Sequence, residues 1–261
     1  VGFDNSSEVQ AEAKQIGLPV TLVNDIKLAV ADADIVFLAV PVGVMAQVVQ
    51  QIILHLKSGA ILTDTGSTKR SIIDDINPLL TGNIFFVPGH PLAGTEFSGP
   101  SAGFPSLFKN HYWLLIGENK TNAAISVMTS FCEKLGAIVE VMDADYHDKI
   151  LAITSHLPHL IAFTIVGTAS DLEHYLKNDV IRFSASGFRD FTRIAASDPT
   201  MWRDVFLNNE EAVLEMLQRF IEDLEYVKNA IKNRQGDKLF DLFERTGDIR
   251  RSIVDIGQAT D

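Results

Sequence analysis

Cysteine is almost absent from this chain, with one residue, Cys132, in 261. That excludes an intrachain disulfide framework and any cysteine-built metal cluster, and it fits a reducing cytoplasm. Cys132 lies in the amphipathic run SFCEKL and reads as a small buried apolar side chain. Positive charge is also scarce: 22 Lys and Arg stand against 34 Asp and Glu, a formal net charge of −12. So acidic a chain offers no general surface for nucleic acid or an anionic membrane, and an anionic ligand would need a local cationic cluster. No uninterrupted apolar run approaches the roughly 18 residues of a membrane span. The opening VGFDNSSEVQ, with no basic region followed by an apolar one, does not read as a signal peptide.

What is present is ordinary globular composition, 46% hydrophobic and 21% charged, at a length that suits one large domain or two modest ones. The first 142 residues alternate short apolar runs with amphipathic stretches. Strands are expected at Val1–Phe3, Asp34–Val40, Ala60–Thr63, Ile84–Val87, Tyr112–Ile116 and Ala137–Met142. Helices are expected at Ser7–Ile16, Gly43–Leu56, Thr68–Leu80 and Thr121–Leu135. The strand DIVFLAV is apolar on both faces, as in a parallel sheet covered by helices on each side. Such alternation predicts a doubly wound, mainly parallel α/β fold. From Asp145 to about Arg251 the period is helical, with Pro158 marking a kink or a new first turn and a Gly-Asp break at 236–237. The expected division is therefore an α/β domain over 1–143 and an all-α domain over 144–261. The apolar excess over 150–167 suits either a domain core or a subunit interface.

An α/β fold of this kind that binds a dinucleotide opens with a strand and a G-x-G-x-x-G turn, then places an acidic residue about 20 positions later on the ribose hydroxyls. No G-x-G-x-x-G occurs in the chain, yet Asp4 ends a short strand, VGFD. Counting back puts the phosphate turn before residue 1, so roughly 25–30 residues of a complete Rossmann-like domain are expected to precede this sequence. A chain without that turn is expected to bind NAD poorly. Asn5, rather than an arginine, follows Asp4, which favours NAD over NADP.

Three loops leave the C-terminal ends of successive strands, where open α/β sheets hold ligands. They are LAVPVGVM, with Pro41 ending its strand, TDTGSTKR, with Ser67 placed to cap the next helix, and VPGHPLAGTE. In the third, Pro88 and Pro91 stiffen the backbone around His90 and pre-orient its side chain, as a catalytic base needs, although a histidine on a surface loop is the plainer alternative. His156 and His159 share a helix face, while His147 lies nine residues from His156, about half a turn out of phase, which argues against a metal site. His55, His111 and His174 read as solvated positions.

HPLAGTE after a strand, TGS one strand earlier, SHLPH, and FRDFTRIAASDPTMW together resemble the prephenate/arogenate dehydrogenases of tyrosine biosynthesis, over Asp4 to at least Trp202. The resemblance implies an NAD-binding α/β domain followed by an all-α dimerisation domain, and oxidative decarboxylation of prephenate, arogenate or both. It makes His90 the base, with Ser67 orienting it. Arg193 becomes the carboxylate clamp, in a region that also holds Arg182, Arg189 and Arg203. His159, Glu96, Trp202 and Thr95 would line the substrate, and His156 could join them. Asp4, Val40, Pro41, Ser67 and His90 would contact NAD. It implies a cytoplasmic homodimer with no metal, and no nucleic-acid or membrane partner. Two other readings compete. One is a β-hydroxyacid-type dehydrogenase using Lys149 on the first interdomain helix, and the other is a non-catalytic dimeric remnant of a dehydrogenase.

Overall fold

The computed structural model describes residues 1–94, 97–117, 122–173 and 182–255. The chain packs as two units, Val1–Val213 and Leu214–Asp261. In the first, strands β1 (Ile35–Leu38), β2 (Ile61–Asp64) and β3 (Phe85–Val87) form a parallel sheet in that order. Helices α1 (Ser7–Gln15), α2 (Ile26–Val30), α3 (Met45–Ile52) and α4 (Arg70–Ile76) alternate with it. The expected strand at Val1–Phe3 is reduced to one parallel bridge, Gly2 to Leu22. Helix α2, absent from the sequence reading, is short and starts on an Asp25 side-chain cap to Lys27 N.

Every residue of β2 is buried. Its alternate residues enter different cores: Leu62 packs with Leu38, Val49, Ile52 and Ile76, and Ile61 packs with Trp113, Leu115, Met128 and Cys132. Both faces of the sheet are thus covered by apolar side chains, which is why its strands carry no polar face. Cys132 lies in this core, and burial pushes its thiol up to about 12.

A second sheet follows after one residue, Pro88. It contains β4 (Gly89–Pro91), β5 (Tyr112–Ile116) and β6 (Ile138–Met142), with α5 (Ala123–Lys134) between the last two. Strand β6 runs parallel to β5, but β4 runs antiparallel, pairing His90 with Leu114 and Pro91 with Trp113. The sheets are mainly parallel, as expected, with β4 the antiparallel exception, and one expectation is corrected: the His90 segment is a strand rather than a loop. Two prolines in four residues read as a turn, yet Pro91 tolerates the strand because its missing N–H leaves the neighbouring ladder intact: Leu92 N still donates to the Tyr112 carbonyl at 2.8 Å.

Beyond β6 the described residues are helical. Helix α6 (Ala144–Leu151) starts on the Asp143 carboxylate and passes through a π turn, Ala152–His156, into α7 (Leu157–Glu173). The π turn ends two residues before Pro158, and Leu157 N reaches back five residues to the Ala152 carbonyl. Helix α8 (Ser186–Thr192) leads to a 3₁₀ turn, Arg193–Ala196, that packs on α7. Helix α9 (Pro199–Asn208) has Asp198 as its cap and proline at its first turn. Helix α10 (Glu210–Lys232) carries the chain into the second unit, where α11 (Gly236–Asp255) follows a break at Arg234, whose φ is +54°. By length and composition alone, the continuous helix Ala144–Leu172 could cross a bilayer, a test that a protein's core helix also passes. Its fully buried His147 and His156 and nearly buried Asp148 instead bond to other elements of the unit.

Truncating Leu115, which is fully buried at the centre of the second sheet, tests this account of the core. Leu115→Ala is expected to cost about 2–5 kcal/mol in urea unfolding, whereas Leu54→Ala, at an 82% exposed position, should stay within about 0.5 kcal/mol.

Candidate active site

His90 is brought to the centre of the first unit by β4 and is 7% exposed. Gly89 before it has to be glycine, because a Cβ there would lie 2.9 Å from the Asp64 carbonyl oxygen and 3.1 Å from Trp113 Nε1. His90 Nδ1 lies 2.8 Å from His147 Nε2, and His147 Nδ1 lies 2.7 Å from the Asp148 carboxylate. An ionised carboxylate only accepts, so His147 donates from Nδ1 and keeps its lone pair on Nε2. His90 must then donate from Nδ1, which leaves the lone pair of His90 on Nε2. The three side chains form one directed chain of hydrogen bonds ending at a base.

The Asp148 carboxylate does more than orient His147. It accepts from Lys69 N at 2.8 Å and Arg70 N at 2.9 Å, capping helix α4 from a distant part of the chain. The expectation that Ser67 caps this helix is therefore wrong. Helix α4 begins at Arg70, three residues after Ser67, with Lys69 as its cap residue and no local side-chain cap. Ser67 is partly buried on the loop after β2, and His90's ring bonds to His147 rather than to Ser67.

Beneath the histidines Lys69 and Asp64 are both fully buried and paired. Lys69 Nζ also donates to the Gly89 carbonyl at 2.7 Å. Asp64 accepts from Gly66 N at 2.7 Å and Gly89 N at 3.3 Å. Asn209, between α9 and α10, donates from Nδ2 to the Asp148 carbonyl at 2.9 Å and to His156 Nδ1 at 3.1 Å.

His147 and His156 thus belong to one cluster despite their spacing. Nine residues of regular helix would place them about 180° apart, but a π turn absorbs one residue and reduces the offset to about 80°. His159 donates from Nδ1 to the Ser155 carbonyl at 2.9 Å and stacks on Trp202, with ring centroids 3.6 Å apart. Trp202 is buried one turn into α9.

Burial holds all four histidines below their ordinary range. For His90 the neighbouring His147 and Lys69 add to the effect of burial; for His147 the Asp148 carboxylate opposes it; His156 is lowered to about 4. His159 is lowered by burial and further by the Arg193 charge. Arg193 itself is exposed on the 3₁₀ turn after α8. Arg203 pairs with Asp204 at 2.6 Å, and Arg182 lies over the Phe183 ring. Lys149, the lysine required by the β-hydroxyacid alternative, is exposed, whereas His90 is buried. His55 and His111 are exposed as expected. Thr95, Glu96 and His174 lie outside the described residues.

Asp4 follows the Gly2 bridge, half-buried, its carboxylate accepting from Ser6 N at 2.8 Å. Val40, partly buried, and Pro41, exposed, follow β1, and Ser67 follows β2. These positions at parallel-strand C-termini, with a carboxylate acceptor among them, fit the ribose and nicotinamide ends of a dinucleotide. Of the residues named from sequence, the structure joins His90 to this cluster by a hydrogen bond and His159 and Trp202 by ring contacts; sequence reading set His147 aside and passed over Asp148, Lys69, Asp64 and Asn209. The signal it left unused was TDTGSTKR, where a lysine and two carboxyl-terminal strand positions sit beside the serine it chose.

The family model described as prephenate dehydrogenase, nucleotide-binding domain, matches residues 1–141, and that described as prephenate dehydrogenase, dimerization domain, matches residues 143–245. The cyclohexadienyl dehydrogenase of Zymomonas mobilis is 40% identical over 252 residues, covering 96% of this chain and 86% of that protein. The prephenate dehydrogenase of Lactococcus lactis is 36% identical over 250 residues, covering 94% and 68%. Among solved structures, the prephenate dehydrogenase of A. aeolicus in complex with hydroxyphenyl propionate and NAD+ superposes with a TM-score of 0.87 at 32% identity, covering 97% of this chain and 88% of the other. The chain belongs to the prephenate dehydrogenase family.

Proposed function

We propose that this protein is an NAD-dependent dehydrogenase of tyrosine biosynthesis that oxidatively decarboxylates prephenate, arogenate or both, with His90 as the base. The observation that carries the reading is the directed chain Asp148–His147–His90, which leaves a buried, neutral imidazole with its lone pair on Nε2. NAD+ supplies the hydride acceptor for C4 of the cyclohexadiene ring. His90 Nε2 takes the proton of the 4-hydroxyl as C4 is oxidised, and the imidazolium so formed is stabilised through His147 by the Asp148 carboxylate. The ring carboxylate then leaves as CO₂, its bonding electrons aromatise the ring, and His90 returns the proton to the same oxygen to give the phenol. Atoms and charge balance, and the base is regenerated in place.

Arg193 pairs with a substrate carboxylate, a task suited to a guanidinium. Its turn packs on α7, the helix that carries His159. His159, held flat on Trp202, forms a wall for the ring, and Thr95 and Glu96 are assigned to substrate binding on the family resemblance of HPLAGTE alone. His156, fixed by Asn209, backs that wall. Asp4 accepts the ribose hydroxyls of NAD, and Val40, Pro41, Ser67 and His90 line its nicotinamide end. Residues 1–143 form the NAD-binding part and residues 144–261 the substrate and dimerisation part of a cytoplasmic homodimer. The second family segment and the exposed Ile221, Leu224, Phe240 and Phe243 support dimerisation, which light scattering would report as twice the chain mass.

In the full-length protein, His90→Asn is expected to lower kcat by about 10²–10⁴-fold with prephenate still bound; near-normal turnover would remove its role. Arg193→Ala should mainly raise KM for prephenate, and an unchanged KM would remove the clamp.

The buried histidines also set a pH limit. Their folded-state pKa values lie below 6.5, so at lower pH the unfolded chain binds more protons than the folded one. The stability they permit is complete above about pH 6.5 and is lost as pH falls, continuing for His156 down to about 4. Each such group contributes a slope of about 1.4 kcal/mol per pH unit. Calorimetry should show Tm falling from pH 7 to 5, less steeply in His156→Gln; a flat profile would contradict the buried neutral state.

A further inference from the structure

Lys69 is among the largest fully buried side chains of the protein, and the reaction described above gives it no task. Its contacts are unusual in joining both ends of the proton path. The side chain donates to the carbonyl of Gly89, the residue before the base, and the main-chain N–H donates to the carboxylate of Asp148, the far end of the relay. Traced round, the bonds close on themselves: Lys69 Nζ to Gly89 O, one peptide to His90, His90 Nδ1 to His147 Nε2, His147 Nδ1 to Asp148 Oδ1, and Asp148 Oδ1 back to Lys69 N. Asp64 anchors the ammonium and also accepts from Gly89 N, so the pair holds both main-chain polar groups of that residue.

We propose that Lys69 is a positioning residue for His90, closing a ring of hydrogen bonds that fixes the base relative to its relay and places a buried cation beside it. The proposal rests on the reading of His90 as the base. A three-residue edge strand has few bonds of its own to hold a catalytic ring in place, and Lys69 supplies one that β5 cannot, to the opposite side of Gly89. The groups facing His90 are His147 and Asp148 on α6, His156 on the π turn, Asp64 at the end of β2, and Lys69 on the loop before α4. Lys69, His147 and His156 each oppose a positive charge on the imidazole. Loss of the Lys69 charge therefore lets His90 protonate at higher pH.

The test uses two variants of the full-length protein. Lys69→Gln keeps amide donors for Asp64 and Gly89 but removes the charge; Lys69→Met removes both. Histidine titration by NMR, which needs no turnover, should show His90 of Lys69→Gln protonating about one pH unit higher, and the acid limb of kcat should move with it. Lys69→Met should lose about tenfold or more in kcat with KM within about threefold, after correction for folded fraction. A purely structural lysine would lower Tm and the folded fraction while leaving the titration of His90 and the acid limb where they were, and that result would overturn the proposal. Should Lys69→Met not fold, the titration of His90 in Lys69→Gln decides alone. If that titration moves and the acid limb of kcat does not follow, the positioning role stands and the base is another group.

Discussion

The carboxylate of Asp148 is the junction on which the site depends. It lies on α6, the first helix of the helical half, yet three of its bonds serve the catalytic surroundings: two main-chain donors at the start of α4 and the ring of His147. A helix N-terminus lacking a local cap leaves orphan N–H groups with partial positive charge. Here that need is met by a residue about 80 positions away. The same anion that completes α4 therefore determines which nitrogen of His147 carries the proton, and through His147 which nitrogen of His90 is free. Fold and tautomer are set by a single group.

The Lys69–Asp64 pair shows the opposite economy. Burying both charges fully is expensive, and a pair of apolar side chains of similar volume would often be as stable or more so. What an apolar pair cannot do is bond Gly89 at both its carbonyl and its N–H. Gly89 itself tolerates no side chain, since β2 and Trp113 press against its Cα. Close packing and polar bonding act on one residue, so the position of the next, His90, is defined more tightly than its short strand alone would allow.

Much of this was legible in the sequence and some was not, for physical reasons that differ by residue. Short apolar runs between stretches of helical period placed β1, β2, β3, β5 and β6 within a few residues, because strands covered on both faces, such as β2, are apolar throughout. The strand holding His90 was missed because Pro88, Gly89 and Pro91 are turn residues, and only pairing with β5, distant in sequence, makes the segment extended and ordered. His147 was set aside on helical phase, an argument that assumed a uniform helix; the π turn before Pro158 changes the phase. Ser67 was preferred as a cap because caps are usually local. The cap came instead from Asp148, and no spacing rule connects positions 67–70 to 148.

Charge distribution explains why the recognition of substrate and the handling of its proton can be separate. The chain carries a formal net charge of −12, and among the described residues the buried cation at the site, Lys69, is already matched by Asp64. The buried cluster of histidines is held neutral by desolvation. Among the described residues, little positive charge is left in the interior to attract a carboxylate. Under the proposed function the anion is met at the exposed Arg193 turn, where a guanidinium stays charged and hydrated at low cost. Were the anion-binding charge placed beside His90 instead, it would depress the base further and couple KM to kcat. Keeping the cation on the 3₁₀ turn lets the interior be tuned for one neutral imidazole with a defined lone pair.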